Sequence, residues 1–274
     1  MRALAGQHVL ITGAAGGLGP VIADAFAAAG ARLSLAARPE DDLPVPARAD
    51  TRTYRADLLD PGAPERLVAE AAAAHGPVDV LVNNAGIEHL GALHDASTEL
   101  LANSVRLNLE IPMRLARAVL PPMLARRHGH VVNMASLAGK APVPFGTAYG
   151  ATKHGMVGFT RALRAELHGT GVSASAICPG FVADRGMYAR TAGPSGVQAP
   201  ALTTPTTSAA VAAAVLRAVR EDLPELIVSP GPMRVLAALG ELFPAFGGWL
   251  VRSSGVTDVQ RRWAAYAAGA GGVA

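Results

Sequence analysis

The sequence predicts an α/β protein: a doubly wound, parallel sheet of seven strands with helices on both faces, forming a single domain with an apolar helical C-terminal tail. Three observations predict it. Short apolar runs alternate with Ala-rich helical stretches, the first run passes directly into a glycine-rich turn and a helix, and charged residues are only 16% of a chain that is 50% hydrophobic. Alternation of this kind calls for parallel strands covered on both faces. The 274 residues suffice for one large core.

His8-Val9-Leu10-Ile11 reads as the first buried strand. It runs into Thr12-Gly13-Ala14-Ala15-Gly16-Gly17-Leu18-Gly19, then Pro20 and an Ala-rich helix ending near Gly30. Glycines permit a tight turn and close approach of a pyrophosphate to main chain, and a helix start offers unpaired N–H groups and a positive dipole end. Pro20 suits a first helical turn, where its missing N–H costs nothing. The second strand, 33–36, ends at Ala37-Arg38. An acidic residue there would hold an adenine ribose 2′-hydroxyl, whereas an Arg accommodates a 2′-phosphate. Arg38 therefore favours NADP(H), and NAD(H) stays in play because Glu40, Asp41 and Asp42 follow closely.

Residues 53–55 form a weak third strand leading to Asp57-Leu58, and a helix over 61–75 stops at Gly76-Pro77. The fourth strand, 78–82, delivers Asn83-Asn84-Ala85-Gly86 to the sheet edge that carries the glycine turn. A long helical pattern over 98–127 contains Asn108, with Pro112 and Pro121-Pro122 as bends or ends. The fifth strand, 130–134, places Ser136 just beyond its carboxyl end, where open α/β sheets bind ligands.

Tyr149 and Lys153 follow on a helix running to about His168, four residues apart and so on one face. A Tyr loses its proton near pH 10, so proton transfer near neutrality means closing a gap of roughly 3 units, about 4 kcal/mol. A positive charge about 4 Å away, at an effective dielectric near 20, is worth about that much. Lys153 is expected to supply most of that shift. By itself Tyr-x-x-x-Lys is common on amphipathic helices; Ser136 and the glycine turn at the same sheet edge give it meaning.

A sixth strand, 172–177, turns out at Cys178-Pro179-Gly180. The segment 186–207, rich in Gly and Pro and without clear periodicity, reads as a substrate lid. A helix over 208–219, a seventh strand at 226–228 and the tail over 232–274, with Trp249, Trp263 and Tyr266, complete the chain. Val143, Pro144, Phe145, Phe181, Val182 and Met187 are available for a hydrophobic substrate, and His89, His94 and Tyr188 for polar contacts.

The net charge of +3, without a basic run, gives no nucleic-acid footprint. Cys178 is the only cysteine and the N-terminal residues lack a secretion-signal core, so a cytoplasmic location is expected. The apolar stretch 233–251 is interrupted by Arg234, Glu241 and Pro244, which argues against a transmembrane segment and leaves peripheral membrane contact open. No metal site is expected.

With these residues placed, the chain resembles the classical short-chain dehydrogenase/reductase (SDR) family over about residues 6–231. The resemblance rests on Thr12-Gly13-x-x-x-Gly17-x-Gly19, Asn83-Asn84-Ala85-Gly86, Asn108, Ser136 with Tyr149 and Lys153, and Pro179-Gly180. Ser136 lies 13 residues before Tyr149, the usual family spacing. The resemblance implies a Rossmann-like fold, with Tyr149 as general acid/base, Ser136 on the substrate oxygen, Lys153 on the nicotinamide ribose and the phenol, and Asn108 holding a relay water. It further implies a cofactor site of Thr12, Gly13, Gly17, Leu18, Gly19, Arg38, Asp57, Leu58, Asn84, Ala85, Gly86, Tyr149, Lys153, Pro179, Gly180 and Val182. Asp184 departs from the pattern, standing where the family commonly has a Thr on the nicotinamide carboxamide. The activity implied is an NAD(P)-dependent interconversion of a ketone and a secondary alcohol, with NADPH-dependent reduction of a small hydrophobic carbonyl substrate as the favoured direction. An NAD-dependent hydroxysteroid-type dehydrogenase is the other enzymatic reading. A non-catalytic dinucleotide sensor or scaffold is opposed by the intact Ser136, Tyr149, Lys153 and Asn108. A homodimer or homotetramer through the helices at 98–127 and 149–168 is also implied.

Overall fold

A computed structural model describes residues 3–46, 50–200 and 203–269. Residues 201–202 of the expected lid and 270–274 of the expected tail lie outside the described residues. Seven parallel strands form one sheet: β1 (His8–Thr12), β2 (Arg32–Ala37), β3 (Thr51–Arg55), β4 (Val80–Asn83), β5 (Gly129–Met134), β6 (Val172–Pro179) and β7 (Glu225–Val228). Their order is β3-β2-β1-β4-β5-β6-β7. The order reverses at β1, and the crevice between β1 and β4 is where such sheets bind ligands. β1, β4, β5 and β6 are buried along their whole length, whereas β3 lies at the edge and is half-exposed, which explains its weak hydrophobic signal.

The helices are α1 (Gly19–Ala28), α2 (Ala63–His75), α3 (Thr98–Val105), α4 (Ile111–Arg126), α5 (Thr147–Glu166), α6 (Gly186–Ser195), α7 (Ser208–Glu221), α8 (Met233–Leu242), α9 (Pro244–Ser253) and α10 (Val256–Gly269). One sheet face packs on α1 and α7 around Phe26, Ile22 and Val215, and the other on α2 and α4 around Leu67, Leu115 and Met123. The long helical pattern over 98–127 is divided by a π turn at Arg106–Glu110. Pro112 explains the division: an α-helical bond to the Asn108 carbonyl needs the N–H that proline lacks. The ladder shifts to i+5 bonding there, the Ile111 N–H donating to the Arg106 carbonyl. Pro121 and Pro122, read as bends or ends, lie inside α4, which continues to Arg126. The first half of the segment 186–207 is α6 rather than irregular chain. Among the described residues, no helix is long and apolar enough to cross a membrane.

Candidate active site

The turns after β1 and β4 are bound to each other. The Thr12 hydroxyl accepts from the Asn84 and Ala85 N–H groups at 3.1 and 3.2 Å, and the Asn84 amide donates to the Thr12 and Gly13 carbonyls at 3.1 and 2.9 Å. Gly13 has φ of 62°, and a Cβ there would stand 2.7 Å from the Ala85 Cα. At Gly19 a Cβ would collide with the Gly13 carbonyl oxygen, so this glycine lets α1 approach the turn. At Gly16 a Cβ would meet nothing, and Gly13, Gly16, Gly17 and Leu18 all border a cavity of about 950 Å³. Bare main chain at the start of α1, facing open space, fits a pyrophosphate.

The cavity also receives Arg38, Asp57, Leu58, Asn84, Ala85, Gly86, Ser136, Tyr149, Lys153, Pro179, Gly180 and Val182, so most of the anticipated residues share it. Thr12, Gly19 and Asn108 do not line it but hold those that do. The Arg38 guanidinium sits 3.0 Å from Asp41 and 3.3 Å from Glu40. Arg55 donates to the carbonyl oxygens of Arg38 and Asp41 and so braces this corner.

Buried amides fix where α5 lies. Asn83 on β4 donates to Asn133 on β5 at 2.8 Å, and Asn133 donates to Thr160 on α5 at 2.9 Å. The turn after Ser136 presses on the same helix, since a Cβ on Gly139 would come within 2.5 Å of the Lys153 carbonyl oxygen. Tyr149 and Lys153 are thereby presented beside Ser136. Lys153 Nζ is 5.4 Å from the centroid of the Tyr149 ring and donates to the Met134 carbonyl at 2.7 Å.

The expected lowering of the Tyr149 pKa is corrected by this geometry. Burial and the nearby Glu88 carboxylate push the phenol well above its ordinary range, offset in part by a hydrogen bond with Ser136. Burial in turn lowers the Lys153 ammonium to about 8, with Cys178 and Glu88 opposing. Glu88 itself is raised to about 7 by burial, against the pull of Lys153 and Arg190. Sequence reasoning passed over Glu88; the available signal was an acid two residues after Gly86, just beyond the turn that follows the fourth strand.

Asn108 is buried, and its side chain is committed to protein partners. Its Oδ1 accepts from the Ile87 N–H at 2.8 Å, while Nδ2 donates to the Ile87 carbonyl at 2.8 Å and to Thr152 at 3.2 Å. It braces the chain that carries Glu88. Asp184 accepts from the Ser208 N–H at 2.8 Å and the Ser208 hydroxyl at 2.5 Å, which holds its carboxyl below the usual range. Its departure from the family pattern thus ties down the start of α7.

Over Tyr149 and Lys153 lies a roof. Val143, Phe181, Val182, Met187 and Tyr188 line it as anticipated, but Pro144, Phe145, His89 and His94 do not. Phe145 is turned under Arg261 of α10, 5.6 Å from ring centroid to guanidinium. In its place the tail contributes Met233, Leu236 and Trp263. Trp263 packs on Phe181 and Tyr188 with centroids 5.5 and 5.6 Å apart, and its Nε1–H donates to the Val197 carbonyl at 2.9 Å. Lys140, buried four residues after Ser136, joins Glu225 at 3.3 Å and Glu241 of α8 at 2.7 Å. That pair fastens the tail to the loop after Ser136.

Residues 7–192 match the family described as short chain dehydrogenase. The chain is 36% identical over 273 residues to Ketoacyl reductase HetN of Nostoc sp., covering 96% of this chain and 94% of that protein. It is 39% identical over 186 residues to Dehydrogenase/reductase SDR family member 7B of Bos taurus, covering 64% of this chain and 57% of that one. Among solved structures, it is similar to a metagenomic short-chain oxidoreductase in complex with NADP, with a TM-score of 0.71, 33% identity, and 84% of this chain and 100% of that chain covered. The chain belongs to the short-chain dehydrogenase/reductase family. It is an oxidoreductase that acts on a carbonyl or alcohol carbon.

Proposed function

We propose that the protein is an NADP(H)-dependent reductase of a hydrophobic ketone, an acyl-chain ketone being the class that the ketoacyl reductase relative favours. The observation that carries this reading is one cavity running from the glycine cradle past Ser136, Tyr149 and Lys153 to an apolar roof. When bound, the nicotinamide dinucleotide would supply the hydride. Gly13, Gly16, Gly17 and the start of α1 would take its pyrophosphate, and Arg38 with Leu58 its adenosine end.

A phenol held protonated is a donor, and that suits reduction: Tyr149 gives its proton to the oxygen of the carbonyl as charge develops there. Ser136 holds the same oxygen and fixes its approach to the phenol. Lys153, brought close to neutrality by burial, is the group next to the phenol able to return a proton and to hold the ribose. Asn108 keeps Ile87 and Glu88 in place, and its carbonyl, denied an α-helical donor by Pro112, is the seat for a relay water. The ion pair of Arg38 with Asp41 does not oppose a 2′-phosphate: Arg38 is 60% exposed, and pairs of that kind are worth about 0.2–1 kcal/mol. The same pair favours a second reading, NAD(H), in which Asp41 or Glu40 takes the ribose hydroxyls.

Tyr149→Phe tests the assignment. Ketone reduction should fall roughly 100- to 10,000-fold, while NADPH affinity, followed by fluorescence titration, stays within about twofold. Unchanged reduction across a panel of ketones would remove Tyr149 from the mechanism, and tighter binding of NADH than of NADPH would select the second reading.

A further inference from the structure

The first two tail helices are apolar on both sides. Met233, Leu236, Ala237 and Gly240 of α8, with Gly247 and Leu250 of α9, face the cavity. On the outside, Val235, Leu239 and Leu242 form a second stripe at i, i+4 and i+7, exposed by 59%, 37% and 72%. Phe243, 60% exposed, and Trp249, 55% exposed, extend it. The two helices meet in a corner at Phe243 and Pro244, packed so closely that a Cβ on Gly247 would stand 3.1 Å from the Gly240 Cα. Phe246 stacks on Trp249 with centroids 5.9 Å apart.

The charges on this corner are few and of one effective sign. Between residues 233 and 254 they are Arg234, Glu241 and Arg252. Glu241 is neutralised by Lys140, 2.7 Å away. Both arginines are exposed, and among the described residues no salt bridge engages either. Arg234 and Arg252 each stand eight residues from the corner positions Leu242 and Pro244, about 12 Å along the helix. An apolar apex with an aromatic shoulder and a basic collar one headgroup layer behind it is the pattern of interfacial helices.

We propose that this corner seats the protein on the surface of an anionic lipid bilayer. Leu242 and Phe243 enter the acyl boundary, Trp249 lies at the headgroup level, and Arg234 and Arg252 meet lipid phosphates. A second copy of the chain fits the corner less well, because it would set Arg234 and Arg252 against the same arginines with no free carboxylate of the corner to receive them. The inner faces of the same helices wall the cavity, so seating brings that wall to the phase in which apolar ketones dissolve. This last consequence rests on the reductase reading; the docking does not.

Flotation of the full chain with phosphatidylcholine vesicles, with and without phosphatidylserine, tests the proposal without an enzyme assay. The protein should float with the anionic vesicles, and Leu242→Glu with Phe243→Glu should cut the bound fraction roughly tenfold or more. Arg234→Gln with Arg252→Gln should remove the difference between the two vesicle types. Brominated lipid should quench the fluorescence of Trp249, an effect that Trp249→Phe abolishes. Circular dichroism keeps a fold defect apart from a docking defect, and Trp249→Phe is a second variant with a mild surface change. If the protein stays out of the floating fraction with both vesicle types, the proposal is wrong. It is equally overturned if light scattering finds an oligomer that the Leu242→Glu, Phe243→Glu pair dissociates, because the corner then belongs to a copy of the chain.

Discussion

On the glycine-turn side of the cavity, position is set by hydrogen bonds between the ends of neighbouring strands, Thr12 to Asn84 and Ala85, and Asn84 back to Thr12 and Gly13. On the roof side it is set by side-chain packing among elements distant in the chain, Phe181 and Tyr188 against Trp263. The first kind of construction tolerates almost no change of shape, because at Gly13 the backbone lies directly against that of Ala85. The second can repack, and so can change its contents while the sheet stays as it is. On the proposed reading, one cavity therefore has a fixed floor for a constant cofactor and an adaptable cover for a variable substrate.

Gly13→Ala probes that division most severely. The new Cβ would stand 2.7 Å from the Ala85 Cα and 2.9 Å from its nitrogen, at a φ of 62° that alanine rarely adopts. Strain and overpacking together should cost about 2–5 kcal/mol of stability. Dinucleotide binding by fluorescence should be lost with it, and reduction should drop roughly 100-fold or more. Should the variant bind NADPH normally and lose only affinity for the ketone, the floor would not be the rigid half.

The same division governs what could be read from the sequence. Strands β1 to β7, the glycine turn and the positions of Ser136, Tyr149 and Lys153 are encoded by local pattern: apolar runs, glycines between strand and helix, a four-residue spacing. Gly19 was legible as a glycine of the turn, although its use is packing against the Gly13 carbonyl rather than contact with a ligand. The roof was not legible, because nothing local to Trp263 says that it will meet Phe181, nor anything local to Lys140 that it will meet Glu241. Phe145 shows the same limit from the other side: its neighbours in sequence placed it in the pocket, but a φ of 60° and Arg261 turn it away. The direction of the Tyr149 shift was missed for a related reason, since burial and Glu88 are tertiary facts, whereas Lys153 four residues on is a sequence fact.

Trp263→Ala sharpens the comparison from the roof. The side chain is 2% exposed and its Nε1–H is bonded to Val197, so truncation should cost about 3–5 kcal/mol and free α6 from α10. The KM for a bulky ketone should rise roughly tenfold while NADPH affinity is retained, because no cradle contact passes through this residue. A matching loss of NADPH affinity would join the two halves into one cooperative unit. Trp263→Phe should recover most of the KM, as it restores the ring contacts without the N–H.

Glu88 stands where floor and roof meet, and Glu88→Gln gives the smallest and most diagnostic effect. Its carboxyl is raised from the usual 4.5 to about 7, so the folded protein keeps a proton that the unfolded chain has lost across that window. This group's contribution to stability is greatest below about pH 4.5, declines as pH rises toward 7 and is constant beyond. A glutamine has no such penalty. The melting temperature of Glu88→Gln relative to the native protein should therefore climb between those limits and level off above them. The ionised Glu88 also raises the Tyr149 phenol, so its removal should make the phenol more acidic. Alcohol oxidation, which needs Tyr149 as a base, should then gain a few-fold near pH 8, while ketone reduction, which needs the protonated phenol, gains nothing. Equal pH profiles for the two proteins in both directions would mean that Glu88 serves the roof alone and leaves the phenol untouched.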